Sequence, residues 1–468
     1  MKRNYKAKFM VPALLFFLSG CAASAQISRS AKAALLNDPA IATGHIGISI
    51  YEPATGKYWY NYNDTKNFIP ASNTKLFTLY AGMKYLGDSL TGLRYRTFED
   101  STIFIYATGD PTFLHPGFKQ QPVLDFLLKQ RLPLRISARL WKEEAWGNGW
   151  SWNDYEEDYM AERSDFPLHG NTVTVKLDSS YWATNGFMVD WKTEPVYFTK
   201  LANPSAQLPG VLVPQLPITD TNFLNSLKKL SPRRKLNSNI FYAEPGNSNS
   251  KQWEMTYSTA GNTTAVEILR NDFGLNIRRD SSAYSFLASD PGKTAVIKSQ
   301  PVDSLFKPMM HRSDNFFAEQ TLLMVSNEKL GYMNDEAIID TILKTDLKDI
   351  PQKPRWVDGC GLSRYNLFTP RSFVYILDKM RTEFGMERLK NILATGGTGT
   401  LSAYYKKDSG YIFAKTGTLS NNCALSGYLI TQKDKLLLFS VLVNNYQSPA
   451  APVRRAVERF LQGIRQKN

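Results

Sequence analysis

Pro70-Ala71-Ser72-Asn73-Thr74-Lys75 runs directly into Leu76-Phe77-Thr78-Leu79-Tyr80-Ala81-Gly82-Met83-Lys84-Tyr85-Leu86. A turn-forming Pro-Ala-Ser followed by an apolar run with helical spacing predicts a buried helix that opens behind Pro70. Ser72 and Lys75 are three residues apart, so they share one helical face and the amine can reach the hydroxyl. A helix start also leaves backbone N–H groups unpaired, and these can hold a developing oxyanion. The plain alternative for Ser72 is a helix cap.

Upstream, His45-Ile46-Gly47-Ile48-Ser49-Ile50-Tyr51 and Lys57-Tyr58-Trp59-Tyr60 read as two strands around the turn Pro53-Ala54-Thr55-Gly56. A short helix, Ala31 to Leu36, precedes them. Downstream, from about 93 to about 295, strand-like pieces such as Thr102 to Tyr106 and Thr172 to Leu177 alternate with Trp-, Asn-, Gly- and Pro-rich connections. Asn225 to Asn249 is polar and basic and reads as peripheral. After 295 the pattern turns helical, with candidates Asp314 to Val325, Asp335 to Leu343 and Pro370 to Leu393. Strand candidates Tyr411 to Lys415, Ala424 to Thr431 and Lys435 to Asn444 follow, and an amphipathic helix, Pro452 to Ile464, closes the chain.

Two early strands and three late ones, with helices between, predict one antiparallel sheet flanked by helices, an α+β fold. The expected division is 27–92 and 296–468 as two parts of a catalytic domain, with 93–295 as inserted, strand-rich accessory domains. A chain of 468 residues is long enough for two or three domains, and its 43% hydrophobic content supplies their cores.

Lys2, Arg3, Lys6 and Lys8 precede the short apolar run Val11 to Leu18, so residues 1–25 read as an export signal. Leu18-Ser19-Gly20-Cys21 resembles a lipobox, in which Cys21 carries lipid and begins the mature chain; Ala23-Ser24-Ala25 is a rival cut for ordinary secretion. The apolar run is far shorter than the roughly 20 residues that span a bilayer. Loss of residues 1–20 takes the net charge from +14 to +10. Such a surface outside the cytoplasm suits anionic envelope polymers. The Lys and Arg residues are scattered without an interleaved aromatic run, which argues against nucleic acid. Cys360 and Cys423 lack metal-ligand spacing, and His45, His115, His169 and His311 form no cluster, so neither a metal nor a cofactor is expected. Whether the two cysteines pair is open from sequence.

Two further motifs follow Ser72-Asn73-Thr74-Lys75 in order: Ser313-Asp314-Asn315 and Lys415-Thr416-Gly417. S-x-x-K recurs at Ser226, Ser248, Ser304 and Ser326, and S-x-N at Ser151 and Ser420, so each alone is weak. Lys-Thr-Gly occurs once, and Gly417 lets an edge strand approach a bound peptide backbone closely. Thr416 and Thr418 supply hydroxyls and Lys415 a charge for a terminal carboxylate. A free lysine has a pKa near 10.4 and is a poor base. Burial and a second cation favour the neutral amine. That gives Lys75 the task of taking the Ser72 proton while Lys415 stays charged. Ser313 is placed to relay a proton to a leaving amine, and Asn315 to hold the scissile amide or Lys75. No G-x-S-x-G elbow surrounds Ser72, so a histidine triad finds no support.

The three motifs in this order, 241 residues between Ser72 and Ser313, and several phrases along the chain carry a family resemblance. Among the phrases are Gly109-Asp110-Pro111-Thr112, Gly149-Trp150-Ser151-Trp152-Asn153-Asp154 and Asp358-Gly359-Cys360-Gly361-Leu362-Ser363-Arg364. Others are Asn315-Phe316-Phe317-Ala318-Glu319, Thr369-Pro370-Arg371, Gly399-Thr400-Leu401 and Ser426-Gly427-Tyr428. Over about residues 30–465 the sequence resembles the class C, low-molecular-mass penicillin-binding proteins, the D-alanyl-D-alanine carboxypeptidase/endopeptidase family. The resemblance implies a β-lactamase/transpeptidase-like catalytic domain. It implies Ser72 as the acylated nucleophile, Lys75 as general base, and Ser313 and Asn315 as relay and positioning groups. Lys415 and Thr416 would bind substrate, and the N–H groups of Ser72 and Thr418 would form the oxyanion hole. Implied partners are peptidoglycan peptides ending in D-Ala-D-Ala and β-lactam antibiotics, in the periplasm or on a membrane-anchored envelope protein. Cys360 departs from the serine usual in its segment. A β-lactamase, or a non-catalytic peptidoglycan-binding lipoprotein, are the competing readings.

Overall fold

The computed structural model describes residues 26–98, 101–137, 140–183, 186–198, 230–245, 250–280 and 294–468. The export signal and Cys21 lie outside the described residues, as do Ser226 and Ser248. The chain forms two compact units: residues up to Met83 with Phe306–Asp314 and Ile339–Asn468, and Lys84–Leu305 with Asn315–Ile338. None of the described helices is long and apolar enough to cross a membrane.

The first unit is built on a six-stranded, wholly antiparallel sheet. Its order is Ala394–Thr395, Ile412–Leu419, Asn422–Ile430, Leu436–Asn444, His45–Glu52, Lys57–Tyr62. The early strands thus join the late ones, as His45 pairs with Asn444 and Ile50 with Phe439. Alternation assigns the faces. Ile46, Ile48, Ile50, Leu437, Phe439, Val441 and Val443 bury one face against Val453, Val457, Phe460 and Leu461 of the closing helix Ala450–Lys467. The opposite face carries small residues. Gly47 leaves room for the Phe68 ring and Pro370, Ser426 Oγ donates to Ser440 Oγ at 2.9 Å, and Tyr428 reaches the Leu377 carbonyl of helix Pro370–Phe384 at 2.7 Å.

Helix Lys75–Tyr85 is buried from Lys75 through Met83, as a core helix should be. Phe77 meets Phe368, Trp356 and Phe373 with ring centroids 4.8, 5.7 and 5.7 Å apart. Each such side chain contributes about 1.5–3 kcal/mol by burial. The helix is thereby anchored independently of its first turn. The single long helix expected over 370–393 is two helices, Pro370–Phe384 and Met386–Ile392. Gly385, at φ 80° and ψ 150°, breaks it with a backbone conformation that favours glycine.

The second unit holds a five-stranded mixed sheet and a three-stranded one, over a core that includes Leu93, Ile105, Ile136, Val173, Ile268 and Leu269. The segment read as peripheral contains a hairpin, Leu230–Arg234 with Phe241–Pro245. Arg234 is fully buried there, donating to the Tyr155 carbonyl at 3.2 Å and to Thr256 Oγ1 at 3.3 Å. A guanidinium with enough acceptors can be buried even in a polar, basic segment. Near by, Arg163 is buried among Glu143, Glu319 and Asp335, with N–O distances of 3.1, 3.3 and 2.5 Å.

Candidate functional site

Ser72 does not start an α-helix but sits inside a tight 3-10 turn, Ala71–Thr74, that feeds helix Lys75–Tyr85. Ala71 takes φ 48°, a left-handed value uncommon for a residue with a Cβ. The turn holds Ser72 half-exposed while Ala71, Asn73, Thr74 and Lys75 are buried. Lys75 Nζ donates to Ser72 Oγ at 2.9 Å. A second acceptor fixes the amine: the main-chain carbonyl of Cys360, 2.7 Å away.

That carbonyl belongs to a loop wrapped around one carboxylate. Asp358 accepts from Gly361 N at 2.8 Å, Ser363 N at 2.7 Å and Asn366 Nδ2 at 2.7 Å, and is itself fully buried. Gly361, at φ 89°, presses on the Ala71 backbone, where a Cβ would overlap the Ala71 carbonyl. The loop therefore packs directly against the turn that carries Ser72. Nothing in the residue types of this loop signals a part in the chemistry, because a main-chain carbonyl leaves no residue-type signal. Cys360 and Cys423 are both buried free thiols, which answers the pairing question left open by sequence.

Lys415 is fully buried on strand Ile412–Leu419, where its Nζ donates to Ser313 Oγ and to the Thr416 carbonyl, both at 2.8 Å. Ser313 takes φ 62°, so its hydroxyl is presented from a left-handed residue just ahead of helix Asn315–Leu330. Asn73 Nδ2 donates to the Lys415 carbonyl at 2.9 Å and ties strand to turn. Gly417 closes the seam: a Cβ there would lie 2.5 Å from the Pro70 carbonyl oxygen and 3.1 Å from Asn73 N. Thr416 Oγ1 donates to Thr400 Oγ1 at 2.8 Å, and Thr418 Oγ1 accepts from Arg454 at 2.7 Å.

The sequence expectation of a charged Lys415 meets a buried site that disfavours that charge. Burial first, and the neighbouring Lys75 charge second, push the Lys415 ammonium well below its ordinary range.

Ser72, Lys75, Ser313, Lys415, Thr416, Gly417 and Thr418 all lie in the first unit. Asn315 opens its helix in the second unit, where its Nδ2 donates to the Tyr159 carbonyl at 3.0 Å. Other matching serines look different. Ser304 donates to the Pro301 carbonyl at 2.6 Å, and Ser326 to the Tyr332 carbonyl at 2.7 Å; Ser151 meets its own Asn153 at 2.6 Å.

The strand edge beyond Phe413 and Ala414 has no strand partner among the described residues, because Ala394–Thr395 pairs only with those two. An extended peptide can add there. A hydroxyl with an amine one turn away, beside an open strand end on an antiparallel sheet, is the chemistry of serine acyl transfer on a transpeptidase-like fold. The family can be named from comparison with known proteins. The chain belongs to the D-Ala-D-Ala carboxypeptidase 3 (S13) family, whose model matches residues 29–206 and 247–463. It is a serine-type D-Ala-D-Ala carboxypeptidase with an α+β fold.

Among curated proteins, it is 22% identical over 423 residues to the D-alanyl-D-alanine carboxypeptidase DacB of Haemophilus influenzae, covering 83% of each chain. It is 23% identical over 454 residues to the D-alanyl-D-alanine carboxypeptidase of an Actinomadura species, covering 89% of this chain and 81% of that one. The solved structure of penicillin binding protein 4 from Haemophilus influenzae superposes with a TM-score of 0.67 at 19% identity, over 94% of this chain and 98% of that one.

Proposed function

We propose that Ser72 is the acylated nucleophile of a peptidoglycan-trimming carboxypeptidase/endopeptidase. The observation that carries this reading is the Lys75 amine, 2.9 Å from Ser72 Oγ and aimed by the Cys360 carbonyl. Lys75 takes the Ser72 proton when its own lone pair faces the hydroxyl. Ser72 Oγ then attacks the carbonyl of the penultimate D-Ala, and the Ser72 and Thr418 N–H groups hold the oxyanion. Ser313, with Lys415 behind it, relays a proton to the departing D-Ala amine, and Asn315 positions the amide. Water then cleaves the Ser72 ester. Thr416, Gly417 and Thr418 line the incoming peptide. Attack on a cross-link in place of a free end gives endopeptidase activity from the same steps.

A β-lactam offers the same carbonyl in a strained ring and, on this reading, forms a stable ester with Ser72. The structure of the Haemophilus influenzae relative complexed with a β-lactam, matching at 18% identity with a TM-score of 0.62, supports that expectation. A cell-wall substrate places the protein in the envelope. We further propose that residues 1–25 export it, that Cys21 carries a lipid, and that 93–295 is an accessory insertion between catalytic parts 27–92 and 296–468. Mass spectrometry after penicillin treatment tests both chemistry and anchor. The expected adduct sits on the peptide containing Ser72 and is absent from Ser72→Ala. An adduct that survives that substitution refutes the assignment, and rapid penicillin turnover without release of D-Ala from peptides favours a β-lactamase.

A further inference from the structure

A peptide ending in D-Ala-D-Ala brings a carboxylate that calls for a cation near the strand end. Lys415 is poorly suited to that task. It is 0% exposed, its amine is already engaged by Ser313 Oγ and the Thr416 carbonyl, and burial disfavours its charged form.

A different cation stands beside the same strand. A small recess beside the strand is lined by Thr400, Leu401, Tyr404, Tyr405, Thr416 and Arg454. Arg454 comes from the closing helix Ala450–Lys467, is partly exposed, and donates through Nη2 to Thr418 Oγ1 at 2.7 Å. Its neighbours on the helix are neutralised: Arg455 by Glu458 at 2.5 Å and Arg459 by Asp38 at 2.7 Å. Arg454 has no carboxylate partner among the described residues. Tyr405 of the recess lining is 3% exposed with a hydroxyl that lacks a hydrogen-bond partner. A guanidinium without an anion, set beside two threonine hydroxyls, fits a bound carboxylate.

We propose that Arg454 is the counter-charge for the terminal carboxylate of the substrate, acting with the Thr416 and Thr418 hydroxyls, so that the enzyme reads a free C-terminus through its own last helix. This assignment rests on Ser72 being the acylated residue. It makes Arg454 a specificity-determining residue and leaves Lys415 to the proton relay with Ser313.

The test compares N-acyl-Lys-D-Ala-D-Ala with the same peptide amidated at its C-terminus, in wild type, Arg454→Ala, Arg454→Lys and Thr418→Val. Release of D-Ala or its amide gives kcat/KM. In Arg454→Ala the value for the free acid should fall about ten- to a hundred-fold, the range expected for losing a hydrogen bond to a charged group, while the amide is unchanged. Arg454→Lys should recover part of the preference, and Thr418→Val should lose part. Endpoint penicillin labelling and thermal unfolding confirm an intact site; should Arg454→Ala not fold, Arg454→Gln takes its place in the same comparison. A parallel fall on acid and amide, or an unchanged acid preference, overturns the assignment while the Ser72 reading stands. Wild type that takes no penicillin at Ser72 overturns both.

Discussion

The main-chain carbonyl of Cys360 accepts from Nζ of Lys75 at 2.7 Å, while the same amine donates to Ser72 Oγ at 2.9 Å. Backbone therefore orients the proposed base, and the side chain at position 360 points elsewhere, with its sulfur 3.7 Å from Asp358 Oδ2. Cys360→Ser should consequently leave penicillin acylation rates within about threefold, as expected of a conservative replacement away from reacting atoms. Asp358→Ala should behave oppositely. It orphans Gly361 N and Ser363 N, each at about 1–3 kcal/mol, and takes one of two acceptors from Asn366 Nδ2, so both the melting temperature and the acylation rate should drop sharply. Equal effects of the two substitutions would contradict the carbonyl's role.

Lys75→Met removes the amine and keeps much of its apolar bulk. Acylation by a fluorescent penicillin should slow about 10²–10⁴-fold, the usual contribution of a positioned base. Chemical denaturation should show little loss of stability, since replacing a buried charge by a hydrophobe of similar volume is often neutral or favourable. A rate near wild type would remove Lys75 from the mechanism.

Lys415 yields a pH prediction with a definite sign. Its folded-state pKa is depressed by burial and by Lys75, whereas unfolding restores an ordinary value near 10.4. Between those two values the unfolded chain binds more protons, so stability rises with pH through that window. Below the folded pKa both states are protonated, and the cost of burying the charge is fully present. Urea unfolding of wild type and Lys415→Met over a pH series should therefore show the variant's advantage shrinking as pH increases. A gap independent of pH, or one that widens, would contradict the assigned burial effect.

Arg163→Met in the second unit should cost about 3–5 kcal/mol, the usual consequence of stripping the partner from buried charges. Glu143, Glu319 and Asp335 would face one another without their cation. Burial and Asp335 already push Glu143 up to about 8 with Arg163 in place. Denaturant midpoints measure the loss, which should be smaller in acid, where the carboxylates accept protons.

The sheet of the first unit was legible because period-two alternation marks each strand and the motifs fall at its ends. The hydrogen bond between Ser72 and Lys75 was legible through side-chain chemistry at a three-residue spacing. Three things were not. Cys360 acts through a carbonyl that every residue possesses. Arg454 meets Thr418 only because the closing helix folds back on the strand, and nothing local links 454 to 418. The break at Gly385 was hidden because apolar spacing continues across it from Leu377 and Met380 to Leu389 and Ile392.

Gly417 touches Pro70 and Asn73 where any larger residue would carry a side chain. Two segments almost 350 positions apart thus bear on each other through bare peptide groups. The gauge of the slot between nucleophile and strand is consequently set by the polymer itself, not by any rotamer. Replacements among nearby side chains can alter which peptides are preferred, but the aperture should hold its width as long as that position stays hydrogen-only.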